Sequence, residues 1–397
     1  KYGQELTNVV NYLSDMALEQ NLKAKPLWLD KIPSFIKIND LIKKYNFSVN
    51  QGIINLPIGE YDMPEEQNQN ILTVQLSAAG NTLIYGSAGS GKENFIMTLI
   101  YSAMNLYTPS NINFYIMDFG TEVLNIFRSS PFIGDIINID DEEKIVNLYK
   151  MLTKIMEERK ELLQPYGGNF YNYNSKSSNK LPVLTVILNN FESYQDVYEK
   201  YEDTLNIILR ECSRYGIYFV LTCSSPNGIS IKIKQNFPQL FCLQQNNEDD
   251  YSTILANFNK TYPAHIYGRG IIKSDKVYEF QTASIEAQEK INDIIEEKIK
   301  DDNKKYNVKA KRIPSLPHKV TLSEVKDVYN PSNKNIIIGI EKKSLNVSSY
   351  DFTKNTINLI SANDNFIMQD FVNAFIKQIK NNRNFQTMVL DASDMNI

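Results

Sequence analysis

The residues best placed to do chemistry form one short run: Gly86, Ser87, Ala88, Gly89, Ser90, Gly91, Lys92 and Glu93. Glycines at its first and sixth places and a lysine at the seventh fit the spacing of a Walker A phosphate-binding loop. Glycines let backbone amides curl round phosphate oxygens, and a helix starting there adds the positive end of its dipole. Lys92 would then reach the β and γ phosphates. The eighth place departs from the pattern. Glu93 stands where a Ser or Thr hydroxyl normally coordinates the magnesium ion that bridges the terminal phosphates. A carboxylate there sets negative charge beside a triphosphate. It could bind magnesium itself or, in the reading favoured here, stabilise the N-terminus of the helix.

Such a loop needs an acidic partner at the end of a buried strand, expected beside the P-loop strand. The apolar run 181–188 is that strand, and it ends in Asn189 and Asn190. Neutral amides supply neither the carboxylate that holds the magnesium shell nor the acid that polarises an attacking water. Glu192 is near but opens the next segment. The expectation is a degenerate Walker B at Asn189 and Asn190, weak ATP binding with magnesium in question, and hydrolysis that is weak or absent. No catalytic residue and no metal ligand is assigned. Asp118 ends another apolar run and reads as a strand-terminating turn residue at the same sheet edge. His265 and His318 are far apart with no Cys or carboxylate pattern near them, which gives them no metal or catalytic role.

The elements that must position this loop are short apolar runs at 82–85, 113–117, 183–188 and 217–222, with helical stretches between them, including 94–106. Nearly continuous apolar strands are buried on both faces, and intervening helices imply a parallel sheet with right-handed crossovers. The fold class is α/β. Residues 1–50 read as an N-terminal helix, apolar at Leu6, Val9, Val10, Leu13 and Leu18, followed by a connector docked by its apolar residues. That connector holds Pro26, Pro33 and the single tryptophan, Trp28. Residues 51–283 form the P-loop module, and 284–330 a helix over 284–300 with a polar linker. Residues 331–397 begin a second copy. Ile338 and Gly339 repeat Ile58 and Gly59, 355–362 repeats 81–88, 365–368 repeats 94–97, and 387–392 follows 113–119, a period of about 270 residues. The second loop, 361–365, has neither glycine nor lysine, so an empty or structural module is expected there. The whole reads as tandem P-loop NTPase modules with mostly parallel sheets and helical linkers.

Composition narrows the partners. The 397 residues are 42% hydrophobic and 22% charged, as in folded chains, with a net charge of −4. That balance lacks the basic excess of non-specific phosphate-backbone binders, so no nucleic acid is expected. Cys212, Cys223 and Cys242 are odd in number and without ligand spacing, which suits reduced thiols in a cytosolic setting. No stretch approaches the roughly 18 to 20 apolar residues of a membrane span. A first residue Lys1 and an end just past a strand suggest a piece of something longer.

Several blocks together resemble the FtsK/SpoIIIE family of ring ATPases, whose modules are RecA-like. They are the P-loop, 115–120, 127–137, 156–162 with 171–173, 210–222 and 268–270. The tandem arrangement, with the connector at Trp28 and a second at 312–317, is most similar to the membrane-bound motors of Gram-positive type VII secretion. The resemblance implies the second ATPase module and the start of the third. It also implies ATP bound between modules, a hexamer formed with other modules of the same motor, and export of small helical-hairpin proteins of the WXG100 type. The fragment would sit at the cytoplasmic face of the membrane, attached only through N-terminal regions absent from it. Carried over, Lys92 is the P-loop lysine, Glu93 takes the hydroxyl's place and Asn189 that of the magnesium-side acid. Arg210, Arg214 or Arg269 would supply a trans arginine. A DNA translocase fragment and a non-catalytic docking scaffold are the alternatives.

Overall fold

The computed structural model describes residues 2–22, 29–50, 52–315 apart from 257 and 259, 320–325, 335–341, 346–351, 365–382 and a few positions between 354 and 388. The chain divides into two units, Lys1–Arg312 and Ile313–Ile397. Trp28 and His318 lie outside the described residues.

Ten strands organise the first unit: β1 Leu56–Met63, β2 Asn68–Val74, β3 Thr82–Tyr85, β4 Ile112–Asp118, β5 Ile133–Ile137, β6 Val183–Asn189, β7 Ile217–Cys223, β8 Gln239–Leu243, β9 Arg269–Lys273 and β10 Val277–Thr282. They form one sheet in the order β2-β1-β10-β9-β8-β3-β7-β6-β4-β5. From β8 to β5 neighbours run parallel. From β8 to β2 they run antiparallel. Every residue of β3, β4, β6 and β7 is buried, as unbroken apolar runs require. Helices Lys92–Leu106, Glu142–Leu163 and Glu202–Glu211 make the crossovers. Their apolar faces are buried, with Phe95, Leu99, Leu148, Leu152, Leu205 and Leu209 in the core.

Two expectations are corrected here. The strand ending in Asn189 is not beside the P-loop strand, because β7 lies between β3 and β6. The chain leaves β3, places β4 three positions away, and fills the gap with β6 and β7. Sequence spacing does not reveal that order. The helix expected over 284–300 instead runs Ile291–Lys305. Ser284 is held by the sheet's margin: its N–H donates to Ile36 O at 2.8 Å, and its carbonyl accepts from Ile38 N at 2.9 Å.

In the second unit, β11 Asn335–Ile340 pairs antiparallel with β12 Val347–Asp351, and the helix Asn365–Lys380 follows. The β11–β12 hairpin shifts register between Ile337 and Gly339, just as β1–β2 shifts between Pro57 and Gly59. The repeated Ile-Gly pair thus marks the same β-bulge twice. The strand expected over 355–362, the loop 361–365 and the strand expected over 387–392 contain residues outside those described. The helix Tyr2–Glu19 forms as its spacing predicts, with Leu6, Val9, Val10, Leu13 and Leu18 exposed. In the connector, Ile32 is buried and Leu29 is exposed.

Candidate nucleotide site

The loop after β3 is strapped to both parallel neighbours of that strand. Gly86 N donates to Cys223 O at the end of β7 (3.0 Å). Ser87 donates through N (2.8 Å) and Oγ (3.0 Å) to Gln244 O just past β8. Ser90 N closes a turn onto Ser87 O at 3.2 Å. Ala88 and Gly89 form the exposed tip, and Gly91 leads into the helix with φ +104°. A Cβ on Gly91 would lie 3.0 Å from the Cα and N of Gly268, whose own φ is +75°. Gly268 N in turn donates to Ser90 O at 3.0 Å. Two residues without side chains therefore let the approach to β9 close against the P-loop.

Lys92 is 8% exposed, and its Nζ donates to Gly86 O and to Ser87 O (3.0 Å). Burial holds its pKa below the ordinary lysine value, and the charges of Glu93 and then Glu192 oppose that shift. Ser90 Oγ is buried and has no hydrogen-bond partner among the described residues. Among the described residues the loop thus has curled amides, an orphaned hydroxyl and an ammonium held by loop carbonyls alone. Phosphate oxygens would satisfy all three. Beside it lies a cavity of about 320 Å³, bordered by Asn94, Tyr267, Gln281, Thr282, Glu286 and Gln288. Its Thr282 Oγ1 is likewise buried without a partner. The Tyr267 ring approaches within 3.6 Å of a Cβ built on Gly91, so the cavity adjoins the loop where it enters the helix.

The strand-end amides are structural. Asn189 Nδ2 donates to Asp118 Oδ1 at 2.9 Å, and Asn189 Oδ1 accepts from Thr222 Oγ1 at 2.8 Å. Thr222 Oγ1 accepts from Asn190 N at 2.8 Å. Asn190, at φ +68°, caps the helix Phe191–Tyr198 by accepting from Ser193 N. Asp118 also accepts from Gly120 N and Leu124 N, which makes it the turn-forming residue that ends β4. Register places Asp118 opposite Asn189, so an acid at 189 would set two carboxylates against each other. The usual magnesium-side groups are replaced: the hydroxyl position holds Glu93, and both ends of Asn189 are hydrogen-bonded. Among the described residues no group of three or more His, Cys, Asp and Glu converges. The cysteines are buried thiols, with Cys212 pushed up to about 12 by burial.

Of the three arginines considered for a trans role, Arg269 is excluded. It is buried, pairs with Glu279, and donates to Gln281 Oε1 and to the carbonyls of Ile32 and Pro33. Arg210 and Arg214 are exposed just before β7 begins. The length of that strand, about 20 Å at 3.3 Å per residue, separates them from their own P-loop. Sequence reasoning passed over Gln244 and Tyr267 as site residues, since their only signal was distance in space, and it read Gly268 as part of a family block without a place in the site. It set Glu192 aside, although that carboxylate acts on Lys92.

Residues 54–210 match the model of the FtsK/SpoIIIE family. The type VII secretion system protein EssC of Staphylococcus aureus (strain MRSA252) is 25% identical over 369 residues, covering 89% of this chain and 25% of that protein. The ESX secretion system protein EccC of Geobacillus thermodenitrificans is 28% identical over 333 residues, covering 82% of this chain and 22% of its own length. The chain therefore spans about a quarter of the curated relatives it matches. Among solved structures, EssC (ATPases 2 and 3) from Geobacillus thermodenitrificans superposes with a TM-score of 0.78 at 25% identity, covering 88% of this chain and 67% of that one. Thermomonospora curvata EccC (ATPases 2 and 3), solved in complex with a signal sequence peptide, shares the fold. Its TM-score is 0.59 at 22% identity, covering 77% of this chain and 57% of that one. No helix among the described residues is long and apolar enough to cross a membrane. Through residues 54–210, the module that contains its P-loop, the chain is similar to the FtsK/SpoIIIE family.

Proposed function

We propose that the chain supplies nucleotide-binding modules to a type VII protein secretion motor. Its first module holds ATP weakly, turns it over little, and regulates or organises the assembly. The observation that carries this reading is the contrast within one sheet edge. A preformed P-loop keeps a buried hydroxyl, Ser90 Oγ, without a partner among the described residues, while the strand-end position beyond β7 is an amide locked between Asp118 and Thr222. The EssC and EccC relatives support the export role, and a structural neighbour of the same fold was solved with a signal sequence peptide. Small helical-hairpin proteins of the WXG100 type are the proposed cargo. Other modules of the same motor are the proposed neighbours in a hexamer at the cytoplasmic face of the membrane. Arg210 or Arg214 would serve the site of the next subunit.

Calorimetric titration with ATP, with and without magnesium, tests the nucleotide reading. The natural chain is expected to bind ATP with little gain from magnesium, and Lys92→Ala to abolish binding. Restoring the metal side takes Glu93→Ser together with exchange of the strand-end pair, Asn189→Asp with Asp118→Asn, so that the two acids are not opposed. This triple variant is expected to gain magnesium dependence. Tight, magnesium-dependent binding with rapid hydrolysis by the natural chain would refute the degenerate-site reading. Retention of the chain on DNA that falls with salt would favour a DNA translocase instead.

A further inference from the structure

Glu192 lies in the first turn of the helix Phe191–Tyr198, directly after the left-handed residue Asn190. That turn sends its carboxylate back over the end of β7. Oε1 accepts from Ser224 N, from Ser225 N at 3.3 Å and from Cys223 Sγ at 3.2 Å. This is the strand whose last carbonyl straps Gly86. Oε2 is buried and has no hydrogen-bond partner among the described residues. The charge bears on Lys92 and on Tyr85, the residue before the P-loop. A strut between helix and strand needs only the one oxygen that the amides hold. The second oxygen is desolvated at the phosphate end of the sheet, where a polar partner is due.

We propose that Glu192 is the proton-accepting carboxylate of this site, doing from the next helix what Asn189 and Asn190 cannot do from the strand end. The inference rests on the nucleotide reading above. In the step it serves, a water oxygen attacks the γ-phosphorus, and the bond to the β–γ bridging oxygen breaks with its electrons leaving on ADP. The water's proton passes to Glu192 Oε2 and from there to the released phosphate. A carboxylate placed this way orients the water and accepts its proton, and general-base help of this kind is worth about 10²- to 10⁴-fold.

The test uses the whole chain with ATP and magnesium, following phosphate release, calorimetric ATP binding and thermal melting. Glu192→Gln keeps an oxygen for the Ser224 and Ser225 amides and removes only the charge. It is expected to melt with the natural chain and to bind ATP at least as tightly, because a negative charge near the triphosphate is gone. Its phosphate release should fall about 10²-fold, or to the level of Lys92→Ala. Glu192→Asp, which keeps the charge, should retain part of what the Gln variant loses. Unchanged release by Glu192→Gln overturns the proposal. So does release by the natural chain no faster than Lys92→Ala while ATP still binds. A flat titration of the natural chain would instead overturn the nucleotide reading, and the proposal with it.

Discussion

Asp118 and Asn189 meet at the ends of β4 and β6 through a single carboxylate–amide hydrogen bond. That contact explains why an asparagine suits position 189 better than the acid a P-loop site usually carries. Asn189→Asp alone is therefore expected to destabilise the fold at neutral pH by about 1–3 kcal/mol, as two buried carboxylates compete for one charge. One acid of the pair would then have a folded pKa raised above its unfolded value. The loss should shrink as pH falls and that acid protonates, and it should disappear in the charge-exchanged pair Asp118→Asn with Asn189→Asp. Denaturant unfolding at neutral and acidic pH checks both outcomes. Lys92 gives a second pH signature. Burial lowers its pKa, so the folded chain releases this proton at a lower pH than the unfolded chain does. Stability from this group accordingly rises with pH through the alkaline window between the folded and unfolded values. Phosphate oxygens favour the charged ammonium, so ATP binding in that window should take up a proton. Calorimetry in buffers of different ionisation heat would register it, and Lys92→Met should lose it.

Arg159 shows how an element-level feature escapes motif reading. It sits in the block 156–162 on the helix Glu142–Leu163, a run that reads as an ordinary charged helical face. In the fold its guanidinium is buried under Phe170 and donates to the carbonyls of Tyr215, Gly216 and Pro182. One side chain thereby joins that helix to the starts of β6 and β7, the two strands that position Asn189 and Cys223. Burial lowers its pKa to about 10, from a normal value of 12.5, so it remains charged at neutral pH. Replacement by Met would strip those carbonyls of a charged donor. It is expected to cost about 3 kcal/mol, read as a lower midpoint in denaturant unfolding, since hydrogen bonds to charged groups contribute about 1.5–3 kcal/mol each. The four strands that were legible, β3, β4, β6 and β7, are continuous apolar runs buried along their whole length, whereas β5, equally buried, is broken by Gly134 and Asp135 and went unread. The antiparallel strands β1, β2, β9 and β10 went unread, because their composition mixes polar residues and glycine with apolar ones. Their pairing is decided by neighbours far away in sequence.

At the scale of the whole molecule, the first unit reaches Arg312. Ala310 N donates to Pro131 O, and Lys311 O accepts from Tyr115 Oη, so the unit closes through its last residues. A chain ending at Arg312 is expected to melt cooperatively and to bind ATP as the full chain does. One ending at residue 305 should melt at lower temperature, and scanning calorimetry of the two would show the difference. The sequence alone determined the P-loop, the buried parallel strands and the Ile-Gly duplication. Each rests on local spacing: glycines that must curl, apolar runs that must be covered, and a bulge that recurs. It also determined that Glu93, Asn189 and Asn190 stand where a hydroxyl and acids are usual. Only the tertiary structure decided that β7 separates the P-loop strand from β6, that Arg269 is consumed in the interior, and that Asn189 answers Asp118. It alone returned Glu192 to the phosphate end of the sheet. These depend on strand order and on contacts such as Glu192 with Ser224, Asp118 with Asn189 and Arg269 with Ile32, where chain connectivity, not local spacing, sets which side chains meet.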